Sequence, residues 1–292
     1  MPLHNLLERI SQAPWIGVWV QAIRHYIEHQ SGSQAGSIAF STVLAMFPLL
    51  ILVSATAAFI GQPGTAADMV MRVLEYAPPL VQQSVHPVIG EVLGHRSQAL
   101  LAIGVFGTLW AASSGMQAVR TGVNKAYGVS RGLSFWKARI KVTLFTVVVG
   151  LGTLAAFSSV VVMPYVAQLI AATADTPAEA VWLSGGVRYS SAFVVLAILY
   201  ALVYAWLPDL PQRLGTVLPG AIAGPLLWLG AAQLLSHVLR AAGKLMLVYG
   251  GFTGVVALLV FLYASAVTLL FGAELNGVLH RRAQARDSGT GG

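Results

Sequence analysis

The chain has 292 residues, of which 57% are hydrophobic and only 9% are charged, and its mean hydropathy is +0.74. A soluble domain carries about 25% charged residues, so this composition excludes a water-soluble fold for most of the chain. Lys and Arg outnumber Asp and Glu by 17 to 10, an excess that membrane proteins carry at their cytoplasmic surface, and the absence of cysteine excludes disulfides and thiolate metal sites.

The N-terminal segment is predicted to be retained and to lie at the cytoplasmic side of a membrane. Its charged residues Glu8, Arg24 and Glu28 argue against a cleaved signal peptide. Between Trp15 and His29, apolar and polar side chains separate at helical spacing, which predicts an amphipathic helix in the membrane interface. The apolar face comprises Ile16, Trp19, Val20, Ile23 and Ile27, and the polar face comprises Gln21, Arg24, His25 and Glu28.

Long uncharged runs follow this segment. A membrane-spanning helix needs about 20 apolar residues, and lipid favours helices because their backbone groups bond internally. The predicted fold class is therefore all-α: a polytopic membrane protein with a bundle of about six transmembrane helices and additional interfacial amphipathic helices. The spans are predicted near residues 35–60, 99–119, 142–170, 189–207, 214–239 and 250–279. Residues 1–34 form a cytoplasmic or interfacial segment, 35–279 the six-helix domain, and 280–292 a disordered cytoplasmic tail.

Basic residues predict the orientation, because Lys and Arg near the ends of spans accumulate on the cytoplasmic side. Most of the 17 lie in the N-terminal segment, in the loop between the second and third spans and in the tail, which places both termini in the cytoplasm. On the outer side, residues 66–93 carry an apolar stripe and the pair Pro78 and Pro79, which predicts two short helices on the membrane surface. A surface loop is favoured over a gating lid for this segment.

Polar side chains line one face of the second span and its continuation. At 3.6 residues per turn they fall within one sector of the helix. The sector contains Trp110, Ser114, Gln117, Thr121 and Asn124, with Arg120 at its edge. Such a stripe avoids lipid. Two interpretations stay open: the stripe faces a watery cavity used in transport, or it forms hydrogen bonds between helices.

Glu274 is the one carboxylate predicted to lie within a span, about two turns before Arg281 and Arg282. A position near the interface predicts an ion pair with a basic residue that anchors the helix, whereas a buried position predicts an ion or proton site. The anchor is the favoured interpretation.

Prolines fall within several predicted spans. They indicate helix breaks of the kind that surround substrate sites in transporters, although proline is also common in membrane helices. These candidate breaks are Pro48, Pro164, Pro219 and Pro225.

Catalytic signatures are scarce in this sequence. Histidines within the spans do not pair at metal-ligand spacing, and no GxSxG motif surrounds a serine. We expect no catalytic residues, no metal site and no cofactor, and therefore a protein that is not an enzyme.

Three segments together resemble a known family. They are FSTVLAMFPLLILVSA in the first span, LWAASSGMQAVRTGVNKAYGV around the second, and FLYASAVTLLFGAELN in the last. Over Ser33 to Asn276 the chain is similar to the YihY/BrkB family of bacterial inner-membrane proteins. The resemblance implies six helices with cytoplasmic ends. It also implies a role among those described for the family, namely virulence or serum resistance, transport of ions, osmolytes or lipid-type substrates, or the ribonuclease activity labelled RNase BN.

These features predict a multi-pass protein of the bacterial cytoplasmic (inner) membrane that transports or handles an ion, osmolyte or lipid-type substrate. The alternative is a structural or partner-binding membrane protein involved in envelope integrity or serum resistance, and a ribonuclease is less favoured. The expected partner is the lipid bilayer, with anionic lipids at the cytoplasmic face. Homo-oligomer formation stays open, and no nucleic acid is expected.

Overall fold

The computed structural model describes residues 16–60, 98–129, 132–152, 185–241 and 251–289. Within these ranges the regular structure is entirely helical. The helices are α1 (Ile16–Glu28), α2 (Ser31–Ile60), α3 (Gln98–Ala126), α4 (described over 135–152), α5 (Gly185–Trp206), α6 (Leu214–Ala241) and α7 (Gly251–Gly289). The predicted all-α fold class is confirmed.

Two of the described helices are long and apolar enough to cross a membrane. These stretches are Gly215–Arg240 in α6 and Gly254–Ala285 in α7, and α5 contains a shorter apolar stretch, Phe193–Trp206. The structure thus agrees with a helical membrane protein, while the number of spans stays a prediction. The outer segment 66–93 and the third span beyond residue 152 lie outside the described residues.

The prolines do not end their helices. α2 continues through Pro48, and α6 continues through Pro219 and Pro225, so these three candidate break positions lie inside continuous helices. Proline removes one backbone donor, but neighbouring helices can satisfy the groups that it leaves free. Pro164 lies outside the described residues.

The C-terminal boundary also differs from the expectation. A disordered tail was predicted from His280, whereas α7 continues as far as Gly289. The side chains of Arg281 and Arg282 bond to neighbouring elements, and these contacts stabilise turns that composition alone assigns to a polar tail.

The chain divides into two compact units. Unit 1 comprises Met1–His25, Val123–Leu226 and Phe271–Gly292, and unit 2 comprises Tyr26–Gly122 and Leu227–Leu270.

In unit 1 the C-terminal part of α7 is the central element. Residues 272–278 are all buried, so this stretch is covered on every side of the helix. On one side, Leu275 and Val278 form an apolar core with Val18 and Ala22 of α1 and Ala223 of α6.

Glycines allow close helix approach in unit 1. A Cβ on Gly220 would collide with the carbonyl oxygen of Gly272, and a Cβ on Gly277 would collide with the carbonyl oxygen of Ala126. Small residues let membrane helices bring their backbones together. Glycine is therefore needed at Gly220 of α6 and at Gly277 of α7, where α6 and the end of α3 approach α7.

In unit 2 helices α2 and α3 pack antiparallel along three contacts. Gly104 faces Leu52, Gly107 faces Pro48, and Gly115 faces Ser41. A Cβ added at these glycines would lie 3.0 to 3.6 Å from the nearest atom of the facing residue. The small side chains of α3 thus face α2.

Candidate functional site

Asn276 connects α7 to the backbone of α6 at the centre of unit 1. The side chain is completely buried. Gly220 N–H donates to Asn276 Oδ1 at 2.7 Å, and Asn276 Nδ2 donates to the Val217 carbonyl at 3.0 Å. Because one partner is a donor and the other an acceptor, only one orientation of the amide satisfies both bonds. The Asn276 side chain thereby bonds to backbone groups of α6 on both sides of Pro219.

Glu274 occupies another side of the same helix. It is completely buried, and it lies close enough to Arg281 for its charge to act on that guanidinium. The basic neighbour is the one expected of an anchoring glutamate, but the complete burial differs from the expected location near water. A buried carboxylate depends strongly on its neighbours, since leaving a charge unpaired in a low-dielectric interior costs several kcal/mol.

Arg281 and Arg282 attach α1 to the end of α7. Arg281 donates to the Ala126 carbonyl at 3.0 Å, and its second terminal nitrogen lies 2.7 Å from His25 Nδ1. Arg282 contacts Gln21 Oε1 through two nitrogens, at 3.2 and 3.0 Å. Since Arg has no acceptor, His25 Nδ1 accepts in this pair and carries no proton. Arg281 therefore joins α1, the last turn of α3 and α7.

A third polar cluster surrounds Asp209 in the loop after α5. Its side chain is 2% exposed. Asp209 Oδ2 accepts from Asn124 Nδ2 at 3.0 Å and from the Leu133 N–H at 3.1 Å, and the Asp209 N–H donates to Asn124 Oδ1 at 2.9 Å. The other carboxylate oxygen lies 3.2 Å from Lys141 Nζ. The aspartate thus links the end of α3, α4 and the loop after α5.

Lys141 completes this cluster. Its ammonium group donates to the carbonyls of Leu207 and Pro208 at 3.0 and 2.8 Å as well as to Asp209. Three acceptors use all three hydrogens of a lysine. The ammonium group is therefore saturated with internal partners, which suits a structural connection better than an open binding site.

α3 ends in a turn that brings Asn124 and Tyr127 into place. Gly128 adopts φ 73°, its N–H donates to the Lys125 carbonyl, and the Val129 N–H donates to the Asn124 carbonyl. This pattern is a Schellman motif, in which glycine takes the left-handed position without steric cost.

Tyr127 is buried just beyond this helix end. Its ring lies 6.1 Å from the ring of His280 in an edge-to-face arrangement. Burial raises the pKa of Tyr127, and the nearby Asn276 amide offsets only part of that rise. The phenol thus stays protonated at physiological pH, where it supplies a hydroxyl dipole and not a charge.

The predicted polar stripe is divided between the two units. Asn124 belongs to unit 1, as does Glu274, while the stripe residues up to Thr121 belong to unit 2. Trp110 is 68% exposed and Arg120 is buried. The residues with intermediate exposure are Ser114, Gln117 and Asn124, and Thr121 is exposed.

The stripe hydroxyls bond within their own helix. Ser114 Oγ donates to the Trp110 carbonyl at 2.8 Å, and Thr121 Oγ1 donates to the Gln117 carbonyl at 2.9 Å. Such bonds to the preceding turn let a polar side chain occupy an apolar environment. The buried face of α3 consists mainly of its small residues, such as Gly115, Val119 and Gly122, which the polar stripe did not indicate.

Unit 2 contains an open groove of about 630 Å³ between α6 and α7. This volume falls in the range of ligand pockets, about 300 to 1,000 Å³. Its lining includes Leu235, Ser236, Leu239 and Arg240 of α6 with Leu258 and Phe261 of α7. Arg240 is its charged residue, and Arg240 Nε donates to the Ser236 carbonyl at 3.3 Å.

Sequence reasoning missed Asp209, Lys141 and the groove. Asp209 lies between two prolines in the segment LPDLP. An acidic residue in so short a loop was the one sequence feature that could have indicated this cluster. The groove had no comparable signal, because its residues are ordinary apolar side chains that come together only through helix packing.

The fold and these clusters define a class: a helical membrane protein whose polar groups are concentrated in buried, hydrogen-bonded connections. The sequence profile described as Virulence factor BrkB matches residues 22–291. The chain therefore belongs to the BrkB family, in agreement with the resemblance noted in the sequence.

Relatives of known name agree with this assignment. The chain is 27% identical over 266 residues to the ribonuclease-like protein YfkH of Bacillus subtilis, covering 90% of this chain and 94% of that protein. It is 25% identical over 260 residues to a UPF0761 membrane protein of Halorhodospira halophila, covering 88% of this chain and 56% of the relative. A UPF0761 membrane protein of Aromatoleum aromaticum is 26% identical over 249 residues, covering 84% of this chain and 59% of the relative.

The chain thus spans little more than half the length of these two UPF0761 proteins. No solved structure matches the chain. The names of the two UPF0761 relatives support a membrane protein.

Proposed function

We propose that the protein binds and moves an anionic, lipid-type amphiphile in the bacterial cytoplasmic membrane. The observation that carries the proposal is the groove between α6 and α7, which combines an apolar lining with one guanidinium. An amphiphile needs both features, because its chain requires apolar surface and its acidic head group requires a cation.

The order of residues along the groove supports a lipid orientation. Arg240 is the last residue of the stretch Gly215–Arg240 that can cross a membrane. Ala232, at the other end of the lining in α6, lies about 12 Å further into that stretch at 1.5 Å per residue. A guanidinium at the membrane boundary with apolar residues toward the centre matches a phospholipid, whose head group lies at the boundary and whose chains lie inside.

Photocrosslinking in nanodiscs tests this binding. The probe is phosphatidylglycerol with a diazirine in its acyl chain, and mass spectrometry identifies the labelled peptides. We expect labelling of α6 and α7 groove residues to fall several-fold in Arg240→Gln and to persist in the control Lys137→Gln, which removes an exposed charge from α4. Equal labelling in both variants would contradict the proposed head-group contact.

Neighbouring leucines provide a matched test of transport. Leu235 lines the groove, whereas Leu234 is 65% exposed and does not line it. In reconstituted vesicles, transbilayer movement of fluorescent phosphatidylglycerol is followed by dithionite quenching. We expect Leu235→Trp to slow movement several-fold and Leu234→Trp to leave it near the wild-type rate. Wild-type movement no faster than in protein-free vesicles would refute transport.

A structural or partner-binding role is the second candidate. The hydrogen-bonded clusters around Asp209 and Asn276 favour it, because they hold neighbouring elements together with bonds inside the protein. This role predicts a variant such as Leu235→Trp that retains every cellular function of the protein.

We further propose that the protein is not an enzyme, although one relative is named ribonuclease-like. Within the described ranges, no three His, Cys, Asp or Glu side chains come together in a group able to hold a metal ion. Purified protein is expected to leave a labelled RNA intact. Cleavage that persists after removal of contaminating nucleases, and that varies with substitutions in this chain, would contradict the proposal.

The proposed location is the inner membrane with both termini in the cytoplasm, supported by the distribution of Lys and Arg. The chain contains no cysteine, so single cysteines can be introduced without a background. We expect Ser288→Cys to react with an impermeant maleimide only from the cytoplasmic side and Thr176→Cys only from the outer side. The reverse pattern would invert the orientation.

A further inference from the structure

α1 presents an apolar stripe that the described part of the chain leaves uncovered. Ile16, Trp19, Ile23 and Ile27 are 53%, 39%, 50% and 70% exposed. Their spacing places them on one side of the helix. Four large apolar side chains on a single exposed face require a partner that is itself apolar.

The other sides of α1 are already occupied. Val18 and Ala22 are buried in the core with α7, and the polar side chains of Gln21 and His25 contact Arg282 and Arg281. Trp19 also stacks on Phe271 with ring centroids 5.8 Å apart. The docked position of α1 is therefore well defined: Trp19 lies at the edge of the stripe against Phe271, and Ile16, Ile23 and Ile27 stay at least half exposed.

The contacts with α7 indicate the depth of α1. They involve residues between Phe271 and Arg282, which form the C-terminal part of the stretch Gly254–Ala285 that can cross a membrane. Since α1 is bonded near the end of a spanning helix, it lies at the level of the membrane boundary. At this depth the apolar environment outside the protein is lipid.

We infer that α1 is a membrane-surface anchor, whose stripe inserts into the acyl boundary of an anionic phospholipid leaflet. The orientation proposed above makes this the cytoplasmic leaflet. Arg24 is exposed beside Ile23, where its guanidinium meets acidic head groups. Through His25 and Gln21, which contact Arg281 and Arg282, the anchor is joined to the C-terminal part of α7.

Site-directed spin labelling in nanodiscs tests the inference. Labels at Ile23→Cys and at Glu28→Cys compare the stripe with a different face of the same helix. Power saturation with oxygen and with a water-soluble nickel chelate reports lipid and water contact, and the measurement does not depend on which side of a vesicle α1 occupies. It therefore distinguishes a failure of the anchor from a failure of the proposed orientation.

We expect oxygen accessibility to exceed nickel accessibility at residue 23 and the reverse at residue 28. High nickel accessibility at residue 23 would overturn the anchor. Low accessibility to both reagents together with dipolar broadening would assign the stripe to a second copy of the chain, and low accessibility without broadening would assign it to another protein surface. Either result would also overturn the inference.

The head-group preference has its own test. Nanodiscs of phosphatidylglycerol and of phosphatidylcholine are compared with the same label at residue 23. We expect deeper insertion in phosphatidylglycerol, and we expect Arg24→Gln to remove that difference while preserving insertion. If the label at residue 23 inserts equally deeply in both lipids while Arg24 is present, recognition of anionic head groups is contradicted.

Discussion

The two units differ in the hydrogen bonds that join their helices, although close contacts at glycines occur in both. In unit 1, side chains bond to the backbone of neighbouring elements, as Asn276 does with Gly220 and Val217 and as Arg281 does with Ala126. In unit 2, the contacts between α2 and α3 at glycines are van der Waals contacts, and α6 and α7 leave a groove between them. Directional bonds specify one arrangement, whereas apolar contacts tolerate rearrangement. We therefore expect substitutions at these contacts in unit 1 to lower the free energy of unfolding more than substitutions in unit 2.

The largest expected effect is at Gly277, where an added Cβ collides with the Ala126 carbonyl. Overpacking against backbone forces a shift of the helices, so Gly277→Ala should lower the free energy of unfolding by about 3 kcal/mol or more. The control is Gly230→Ala in unit 2, where nothing lies within 4 Å of the added atom and helix propensity favours Ala by about 1 kcal/mol. Unfolding in mixed detergent micelles measures both. Equal stability of the two variants would show that the approach of Gly277 to the Ala126 carbonyl does not limit packing in unit 1.

A smaller loss is expected for Asn276→Leu, which preserves volume but removes both bonds to α6. Leaving a buried backbone group without its partner costs about 1 to 3 kcal/mol, so we expect a loss of about 2 kcal/mol. Asn276→Asp keeps the acceptor for Gly220 N–H but loses the donor to Val217. With an ionised Asp side chain at position 276, the free energy of unfolding of the protein should therefore also fall. A leucine variant as stable as the wild type would show that Gly220 N–H and the Val217 carbonyl find other hydrogen-bond partners.

The cluster around Asp209 predicts coupling between Lys141 and Asp209. The two charges lie 3.2 Å apart, with the aspartate almost completely buried, so a double-mutant cycle of Lys141→Met and Asp209→Asn should give an interaction energy of about 1 to 2 kcal/mol. The exposed Lys137 on the same helix serves as the control. Its cycle with Asp209→Asn should be additive within about 0.5 kcal/mol. Additivity for Lys141 as well would mean that the ion pair adds nothing to stability.

The smallest effect is expected in unit 2 at Ser265. Trp228 Nε1 donates to Ser265 Oγ at 2.9 Å, while the serine hydroxyl donates to the Phe261 carbonyl. Hydrogen bonds between membrane helices average about 0.6 kcal/mol, so Ser265→Ala should lose about that amount. Trp228 keeps its edge-to-face contact with Phe261. A loss above about 2 kcal/mol would show that unit 2 also depends on directional bonds.

The structure also shows which features of the sequence were informative. The amphipathic pattern of residues 15–29 predicted the helix α1, and the residues assigned to its apolar face include the four that the structure leaves exposed. The apolar runs predicted the helices of the described part. Periodicity succeeds in these cases because it depends on neighbours within one turn, which the sequence contains in full.

The polar positions were harder to interpret. Asn124 appeared to belong with Gln117 and Trp110 on one face of α3, yet its side chain bonds to Asp209, 85 residues away. Asn276 bonds to Gly220 across 56 residues. A helical wheel places side chains around one axis but contains no information about which other helix is adjacent, so neither partner was predictable.

The sequence by itself determined that the chain is helical and apolar enough for a membrane, that it resembles the BrkB family, and that α1 has two chemically different faces. These properties depend on composition and on local spacing, which act before any helix meets another. The burial of Glu274, the enclosure of residues 272–278, the continuation of α7 through Gly289 and the groove at Arg240 were decided by the tertiary structure. Each depends on how closely helices distant in sequence approach one another, and that distance is set by glycines and hydrogen bonds whose partners are known only once the chain has folded.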